Sequence, residues 1–176
     1  MLSTYLSSKL KEIEEGFIIV PYTQDSFGLC DDLINEEIAF IICNNSIDKQ
    51  YIEDTFINKD INGYVLISNN DKYHGYIMFY RYDDYIEIVL VSTLRDDTTK
   101  GLPLGQYLLY FVEKNALSLG IKKLVAYSLP GAVDFYLKTG WEFCNKTEED
   151  IYNLEDDEKI PDTYKIRKNI NLNKII

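Results

Sequence analysis

The stretch YIEIVLVSTLRDDTTKGLPLGQYLL, residues 85–109, changes its hydrophobic period part-way along. Its first ten residues are rich in β-branched side chains and predict a buried strand, whereas apolar residues at spacings of three and four predict a helix from Pro103 to about Leu119. Gly101 lies in the loop between them, and Gly105 falls in the first helical turn. Backbone N–H groups at a helix start point outward and attract anions. The junction therefore suits a phosphate group, although an ordinary strand-to-helix turn would show the same pattern.

Segments of alternating and of helical period flank this junction on both sides. Strands are expected at 16–22, 61–68, 73–82, 85–94, 122–129, 141–144 and 163–170. Helices are expected at 25–42, 46–59 with Ser46 as a cap, 103–119 and 132–139. The acidic segment 146–162 is expected to be a solvated loop or a helical excursion. The order β-α-α-β-β-β-α-β-α-β-β predicts a layered α/β domain.

The composition bounds the architecture and the partners. With 176 residues and 46% hydrophobic content, the chain fits one compact domain, which we place over residues 1–176. The formal net charge is -11, from 29 acidic and 18 basic residues, and it repels phosphate backbones and anionic lipid. We therefore expect neither nucleic acid nor a membrane as a partner. The same charge favours a cationic substrate, or it simply keeps the protein soluble.

The sequence also bounds the compartment and the metal chemistry. No apolar run approaches the roughly 20 residues that span a bilayer, and the start of the chain is acidic and amphipathic rather than a cationic leader. We expect a soluble, cytoplasmic protein. Cys30, Cys43 and Cys144 lie far apart and are odd in number, so neither a disulfide framework nor a zinc site is expected. His74, the only histidine, has no ligating partner at a suitable spacing and is expected to be structural.

Two separated motifs carry a resemblance to a known family. EIVLVSTLRDDTTKG, residues 87–101, resembles the acetyl-CoA-binding core of the GNAT superfamily of N-acetyltransferases, with the glutamate-to-glycine spacing of its histone acetyltransferase branch. AVDFYLKTGWEF, residues 132–143, resembles the second signature of that family. The resemblance implies a GNAT-like α/β fold, in which a mixed, mostly antiparallel sheet of about seven strands is flanked by about four helices and splayed between the fourth and fifth strands.

The resemblance also implies site residues, position by position. Acetyl-CoA, the acetyl-donor cosubstrate, would lie where the two central strands part, and no metal is implied. The residues that would bind its acetyl carbonyl, pantetheine arm and pyrophosphate are Val91, Thr93, Thr99, Lys100, Gly101, Leu102, Leu104 and Gly105. Thr98 stands where the family has Gln or Arg, and Leu129 and Pro130 stand where an asparagine is common. Pro103 replaces a family glycine and lacks an N–H, but proline is tolerated as the first residue of a helix.

Glu87 and Tyr136 are the catalytic residues that the resemblance implies. An amine must be neutral to attack a thioester, yet an alkylamine with a pKa of about 10.4 arrives as ammonium, so Glu87 would be the general base. Alternation places Tyr85, Glu87, Val89 and Val91 on one face of the strand, and such apolar surroundings suit a carboxylate that takes up a proton. Tyr136 would protonate the departing thiolate. The alternatives are a solvated strand carboxylate for Glu87 and a core aromatic for Tyr136.

These residues together predict an acetyl-CoA-dependent N-acetyltransferase that transfers the acetyl group directly, because no cysteine falls within either motif to carry it. The acceptor would be a cationic amine, whether a protein lysine, a polyamine or a small amine, since acidic residues lie beside the cleft strand: Asp83, Asp84, Asp96 and Asp97. A non-catalytic GNAT-fold module that binds acyl-CoA or a protein is the alternative, favoured by Thr98 and Pro103. A structural protein of unrelated fold is a third class. We expect a monomer or a homodimer.

Overall fold

The computed structural model describes residues 4–22, 49–94, 97, 99–154 and 159–170. The strands in these ranges are β1 (Phe17–Tyr22), β2 (Asn62–Ser68), β3 (Tyr73–Arg81), β4 (Ile86–Thr93), β5 (Lys123–Ser128), β6 (Glu142–Phe143) and β7 (Tyr164–Asn169). The helices in these ranges are α1 (Thr4–Gly16), α2 (Lys49–Ile57), α3 (Leu104–Ser118), α4 (Val133–Leu137) and α5 (Lys146–Leu154), with a short 3-10 turn at Pro130–Ala132.

All of these strands form one sheet in the order β1-β2-β3-β4-β5-β7-β6. Neighbouring strands are antiparallel except β4 and β5, which are parallel. Their parallel pairing covers only Ile86–Ile88 of β4 against Leu124–Ala126 of β5. Beyond these pairs the two strands separate, and we call the gap between Val89–Thr93 and Tyr127–Ser128 the β4–β5 opening. The predicted mixed sheet, splayed between its fourth and fifth strands, is therefore confirmed.

Helices cover both faces of the sheet and divide the hydrophobic core in two. On the face covered by α1 and α3, here called the α3 face, Ile13 and Leu108 are fully buried. On the opposite α2 face, the ring of Phe56 packs against that of Tyr76, with centroids 5.1 Å apart. Fully burying one such side chain stabilises the fold by about 1.5 to 3 kcal/mol. Because both faces of the sheet are covered, β3 is a nearly continuous apolar run rather than an alternating one.

A β-bulge interrupts the register between β3 and β4 at Val89. Ile88 pairs with Phe79 and Leu90 pairs with the adjacent Met78, so Val89 is an extra residue in β4. The bulge reverses which face each later side chain occupies. Ile88 belongs to the core of the α3 face, whereas both Val89 and Leu90 contact the core of the α2 face. Strict alternation along β4 therefore does not hold.

The predicted order of elements differs from the structure at its start. Helix α1 was not among the predicted elements, although its apolar residues Leu6, Leu10 and Ile13 recur at helical spacing. The predicted helix at 25–42 and the Ser46 cap lie outside the described residues. The acidic segment 146–162 contains helix α5 over its first half, which agrees with the helical alternative. In the described ranges, no helix is both long enough and apolar enough to cross a membrane.

Candidate functional site

The loop that follows β4 is shaped by a left-handed glycine. Gly101 has φ +79°, a backbone conformation that residues with a Cβ rarely adopt. The N–H of Leu102 donates to the carbonyl of Thr99 at 3.0 Å, which closes a turn around Lys100 and Gly101. The buried Thr99 hydroxyl donates to the carbonyl of Leu94 at 3.3 Å and so ties the turn to the end of β4. Lys100 remains exposed beside the turn.

Helix α1 also contacts this loop. The hydroxyl of Tyr5 donates a hydrogen bond to the Gly101 carbonyl across 96 residues of sequence. The hydroxyl oxygen also lies 4.0 Å from the point that a Cβ on Gly101 would occupy. Tyr5 therefore helps to hold the turn in one place relative to the sheet.

Pro103 forms an inverse γ-turn immediately before α3. Its φ of -82° and ψ of 65° are typical of that turn, and the N–H of Leu104 donates to the carbonyl of Leu102 at 3.0 Å. The Pro103 carbonyl accepts from the N–H of Tyr107 at 3.0 Å, so Pro103 is the N-cap residue. We predicted Pro103 at the first helical position, and the structure places it one residue earlier because the γ-turn holds its ψ outside the helical range.

These turns decide which N–H groups of the loop are available to a ligand. The amides of Leu102 and Leu104 donate within the loop. Among the residues that the structure describes, no carbonyl accepts from the N–H of Gly101 or Gly105, and no side chain caps the start of α3. The first turn of this helix therefore presents open donors and the positive end of a helix dipole to an anion.

The two sequence motifs meet at Gly105. A Cβ at this position would lie 3.2 Å from the Phe135 ring, a distance that leaves little room for a side chain. The first turn of α3 therefore packs directly on α4. Tyr136, the next residue of α4, is buried on the α3 face, and its ring lies 5.1 Å from that of Trp141. Burial raises the pKa of the Tyr136 phenol well above its ordinary value, so the hydroxyl stays protonated.

A cavity of about 320 Å³ lies on the α2 face, next to the β4–β5 opening. Helix α2 lines it with one face, formed by Tyr51, Asp54, Thr55 and Asn58. The sheet contributes Tyr80, Glu87, Ile88, Val89 and Tyr127. Ile88 is the last β4 residue that pairs with β5, so the cavity lies where the two strands begin to separate.

Glu87 provides the negative charge at the sheet side of this cavity. Among the described residues, no cationic side chain forms an ion pair with its carboxylate. Burial raises the pKa of Tyr51 and of Tyr80, and the charge of Glu87 raises both further. Both phenols are therefore neutral hydrogen-bond donors at physiological pH, and they line the cavity together with Glu87.

No family model matches this chain, and no curated protein matches it. Solved structures do. The catalytic domain of Tetrahymena GCN5 histone acetyltransferase in complex with coenzyme A aligns with a TM-score of 0.65 and 17% identity, over 89% of this chain and 94% of that chain. An acetyltransferase of the GNAT family from Staphylococcus aureus Mu50 aligns with a TM-score of 0.59 and 18% identity, over 88% and 99% of the two chains.

An aminoglycoside 6'-acetyltransferase type Ii aligns with a TM-score of 0.61 and 15% identity, over 88% of this chain and 97% of that chain. The chain has the GNAT fold. The seven-stranded sheet with a single parallel pair at β4 and β5 agrees with this assignment. Identities below one in five show the fold and leave the acceptor open.

Within the GNAT fold, the predicted site residues fall on both faces of the sheet. Val91 contacts the core of the α3 face and Tyr136 is buried in it, whereas Glu87 lines the cavity on the α2 face. The prediction that Glu87 and Val91 share a face is wrong, because the extra residue Val89 reverses the alternation between them. The β4–β5 opening is the route by which groups on the two faces can reach one molecule.

Several residues of this site were missed in the sequence. Tyr51 and Asp54 lie on α2, but their spacing only indicates a polar helix face, without showing that this face covers Glu87. Tyr127 lies in a strand that reads as buried, and it is exposed because β5 ends its pairing with β4 one residue earlier. Tyr5 gave no signal, since its partner Gly101 is distant in sequence.

Two further sequence predictions concern metal ligands and His74. The described residues contain no group of three or more His, Cys, Asp or Glu side chains that could hold a metal ion. His74 is buried, and its ring packs edge-on against Phe17 at 5.2 Å, as suits a structural residue. Cys144 is a free thiol, whereas Cys30 and Cys43 lie outside the described residues.

Proposed function

We propose that the protein, as a single GNAT domain over residues 1–176, is an acetyl-CoA-dependent N-acetyltransferase that acts on a primary amine of a cationic acceptor. The observation that carries this proposal is the cavity beside the β4–β5 opening, with Glu87 on one face of the sheet and an uncapped helix start on the other. The glutamate-to-glycine spacing that resembles the histone acetyltransferase branch supports Glu87 as the base. A protein lysine, a polyamine and a small amine are all compatible with this chemistry.

The residues present fit acetyl-CoA as the acetyl donor. Structures of the same fold hold coenzyme A, among them the Tetrahymena catalytic domain and an N-acetyltransferase from Thermoplasma acidophilum. In this chain the open donors of Gly101 and Gly105 would bind the pyrophosphate, with Lys100 supplying positive charge. The backbones of Val91 and Thr93, at the edge of the opening, would bind the acetyl carbonyl and the pantetheine arm. Thr99, Leu102 and Leu104 would shape the loop, since the last two use their N–H groups within it.

Glu87 would take a proton from the incoming ammonium, because only the neutral amine can attack the thioester. The amine nitrogen then forms a bond to the acetyl carbon, the carbon–sulfur bond breaks, and the sulfur leaves as a thiolate. The nitrogen gives up a second proton, and the sulfur gains one to become a thiol. Overall an ammonium and a thioester become an amide and a thiol, with one proton released. No covalent acyl-enzyme is needed in this scheme.

Tyr136 would act on the departing thiolate. A buried phenol with a raised pKa is a weaker acid than a thiol, whose ordinary pKa is about 8.5. Complete transfer of its proton to sulfur is therefore uphill. We propose that Tyr136 stabilises the thiolate chiefly by donating a hydrogen bond, a role for which a phenol that stays protonated is well suited.

The proposal is tested by thermal unfolding and by thiol release. At 100 times its dissociation constant, acetyl-CoA should stabilise the protein by about 2.7 kcal/mol, and the shift should shrink with added salt because Lys100 would face the pyrophosphate. Amine-dependent release of free coenzyme A, followed with a thiol reagent, would then demonstrate transfer. An unchanged melting temperature at millimolar acetyl-CoA would overturn the proposal.

The second candidate function is a GNAT-fold module that binds acyl-CoA without catalysis. Its supporting observation is the inverse γ-turn at Pro103, which removes one phosphate donor and turns the Leu104 amide inward. Thr98 lies outside the described residues, so only the sequence supports the argument from its departure from the family pattern. Stabilisation by acetyl-CoA without coenzyme A release, for any of the three amine classes, would favour this module.

A further inference from the structure

We propose that the acceptor is a small aliphatic diamine, with one nitrogen reacting beside Glu87 and the second, as ammonium, paired with Asp54. This inference rests on the proposed function and narrows its acceptor from the three amine classes to one. The cavity on the α2 face would enclose the carbon chain between the two nitrogens.

The position of the cavity connects it to the acetyl donor. Glu87 and Ile88 belong to the last paired residues of β4, and Val89 and Tyr127 are the first residues beyond the pairing on each strand. A molecule in the cavity therefore touches the edge of the β4–β5 opening, where a thioester reaching from the α3 face would meet it. The cavity is placed to receive the second substrate rather than the cofactor.

The size of the cavity suits a short diamine. A volume of about 320 Å³ corresponds to roughly ten water molecules in bulk liquid. A diamine such as putrescine, with six heavy atoms, takes the place of about half of these waters and leaves room for the rest around its two nitrogens. A lysine side chain from a protein would fill a smaller part, and its peptide backbone would have to remain outside.

The charges of the lining favour two positive groups. Glu87 and Asp54 are the charged residues of the lining, and no lysine, arginine or histidine is among the residues that form it. Oδ1 of Asp54 accepts a hydrogen bond from the Gln50 side-chain amide at 2.8 Å, which orients the carboxylate. Its other oxygen has no partner among the described residues and is available to an ammonium. An acceptor with a single charge would satisfy only Glu87.

Aromatic rings complete the cation-binding character of the cavity. Tyr51 and Tyr80 line the same cavity as Asp54 and Glu87, and the face of a phenol ring attracts an ammonium ion. The third phenol, Tyr127, already has the Lys165 ammonium 5.8 Å from its ring centroid. The aromatic contribution to binding a diamine therefore comes chiefly from the first two rings.

The test compares putrescine with butylamine, which has the same carbon chain and one nitrogen. Calorimetric titration into the protein saturated with coenzyme A should show putrescine binding about 2- to 5-fold more tightly, the gain expected of a partly exposed ion pair. Asp54→Asn should remove this gain and leave butylamine binding unchanged. Asp71→Asn, which removes the same charge from the β2–β3 turn at the far end of β3, should change neither affinity.

Each other result has a defined meaning. Equal affinities for the two amines, or a putrescine affinity that Asp54→Asn does not change, would overturn the diamine inference. If a lysine peptide or butylamine still releases coenzyme A in that case, the proposed function stands without it. If putrescine binding depends on Asp54 but no amine releases coenzyme A, the cation site stands and the proposed acetyltransferase activity falls.

Discussion

Glu87 lines the cavity and belongs to neither part of the hydrophobic core, so its carboxylate can be replaced without disturbing core packing. Because a general base typically contributes about 100-fold or more to the rate, we expect Glu87→Gln to lower turnover by roughly that factor at neutral pH. The deficit should shrink as the pH approaches the amine pKa of about 10.4, where neutral amine is already present. Steady-state thiol release measured across this pH range checks the prediction.

Two measurements separate loss of the base from loss of structure. Acetyl-CoA binding by Glu87→Gln, measured by calorimetry, should stay nearly unchanged, because the proposed pyrophosphate donors are on the other face of the sheet. Equal turnover of the parent and Glu87→Gln at pH 7 would show that Glu87 is not the base but only a solvated carboxylate on the strand.

Among the individual residues of the site, those within a sequence motif could be predicted from the sequence. Those brought to the site only by tertiary packing could not. Glu87 and Gly101 lie at a fixed spacing along the chain, and Gly105 falls in the same motif. The face of Val91 was predicted wrongly, since a bulge depends on the pairing of β4 with β3. Asp54 belongs to the site because helix α2 lines the same cavity as Glu87. No pattern in the sequence of α2 itself predicts that placement.

The loop between β4 and α3 sets the strength of the proposed cofactor binding. Pro103→Gly restores one N–H and releases the inverse γ-turn that occupies the Leu104 amide. A hydrogen bond to a charged group contributes about 1.5 to 3 kcal/mol, whereas losing a compatible proline costs about 0.4 to 1 kcal/mol through the unfolded chain. We therefore expect tighter acetyl-CoA binding and slightly lower stability of the free protein, measured by calorimetric titration and thermal unfolding.

A second proline provides the matched control. Pro161 precedes β7 and is not part of the loop, so Pro161→Gly should lower stability by a similar small amount without changing acetyl-CoA affinity. Weaker binding by Pro103→Gly than by the parent would show that the preformed γ-turn helps binding, and that this loop holds its ligand differently from the family pattern.

The elements themselves were largely predictable where their signals are local. The β2–β3 hairpin follows from two β-rich runs joined by a short turn, and helix α3 follows from helical spacing within a single segment. Helix α1 was missed, although its apolar residues pack against the α3 face once the sheet is formed. The inverse γ-turn could not be predicted, because a proline before a helix fits both the N-cap and the first helical position.

One buried ion pair connects three separate parts of the molecule. The Lys168 ammonium on β7 donates to Glu113 of α3 at 2.7 Å and to the Thr139 carbonyl after α4 at 2.7 Å. The two charged side chains are only 12% and 7% exposed. Lys168→Met would leave the Glu113 charge buried without its partner, which costs about 3 to 5 kcal/mol in comparable sites. We expect a loss of that order in the free energy of unfolding, measured with urea.

The double variant Glu113→Leu with Lys168→Met is the control for this prediction. Replacing both charges by apolar groups of similar size is often neutral or stabilising, so most of the lost stability should return. If Lys168→Met lowers the free energy of unfolding by less than about 1 kcal/mol, the pair contributes no more than an ordinary surface ion pair. The connection between α3, α4 and β7 would then depend on apolar packing.

The short contact between β4 and β5 has a consequence for how the chain folds. Strands β1 to β4 are joined largely by hairpin pairs, and β5 to β7 form a second antiparallel group, but within the described residues only the pairs at Ile86–Ile88 connect the two groups. Hairpins close short loops and form early, whereas this parallel contact must close a loop that includes α3. Substitutions in the β2–β3 hairpin should therefore slow folding. A cavity made at Ala126, where β4 meets β5, should instead speed unfolding.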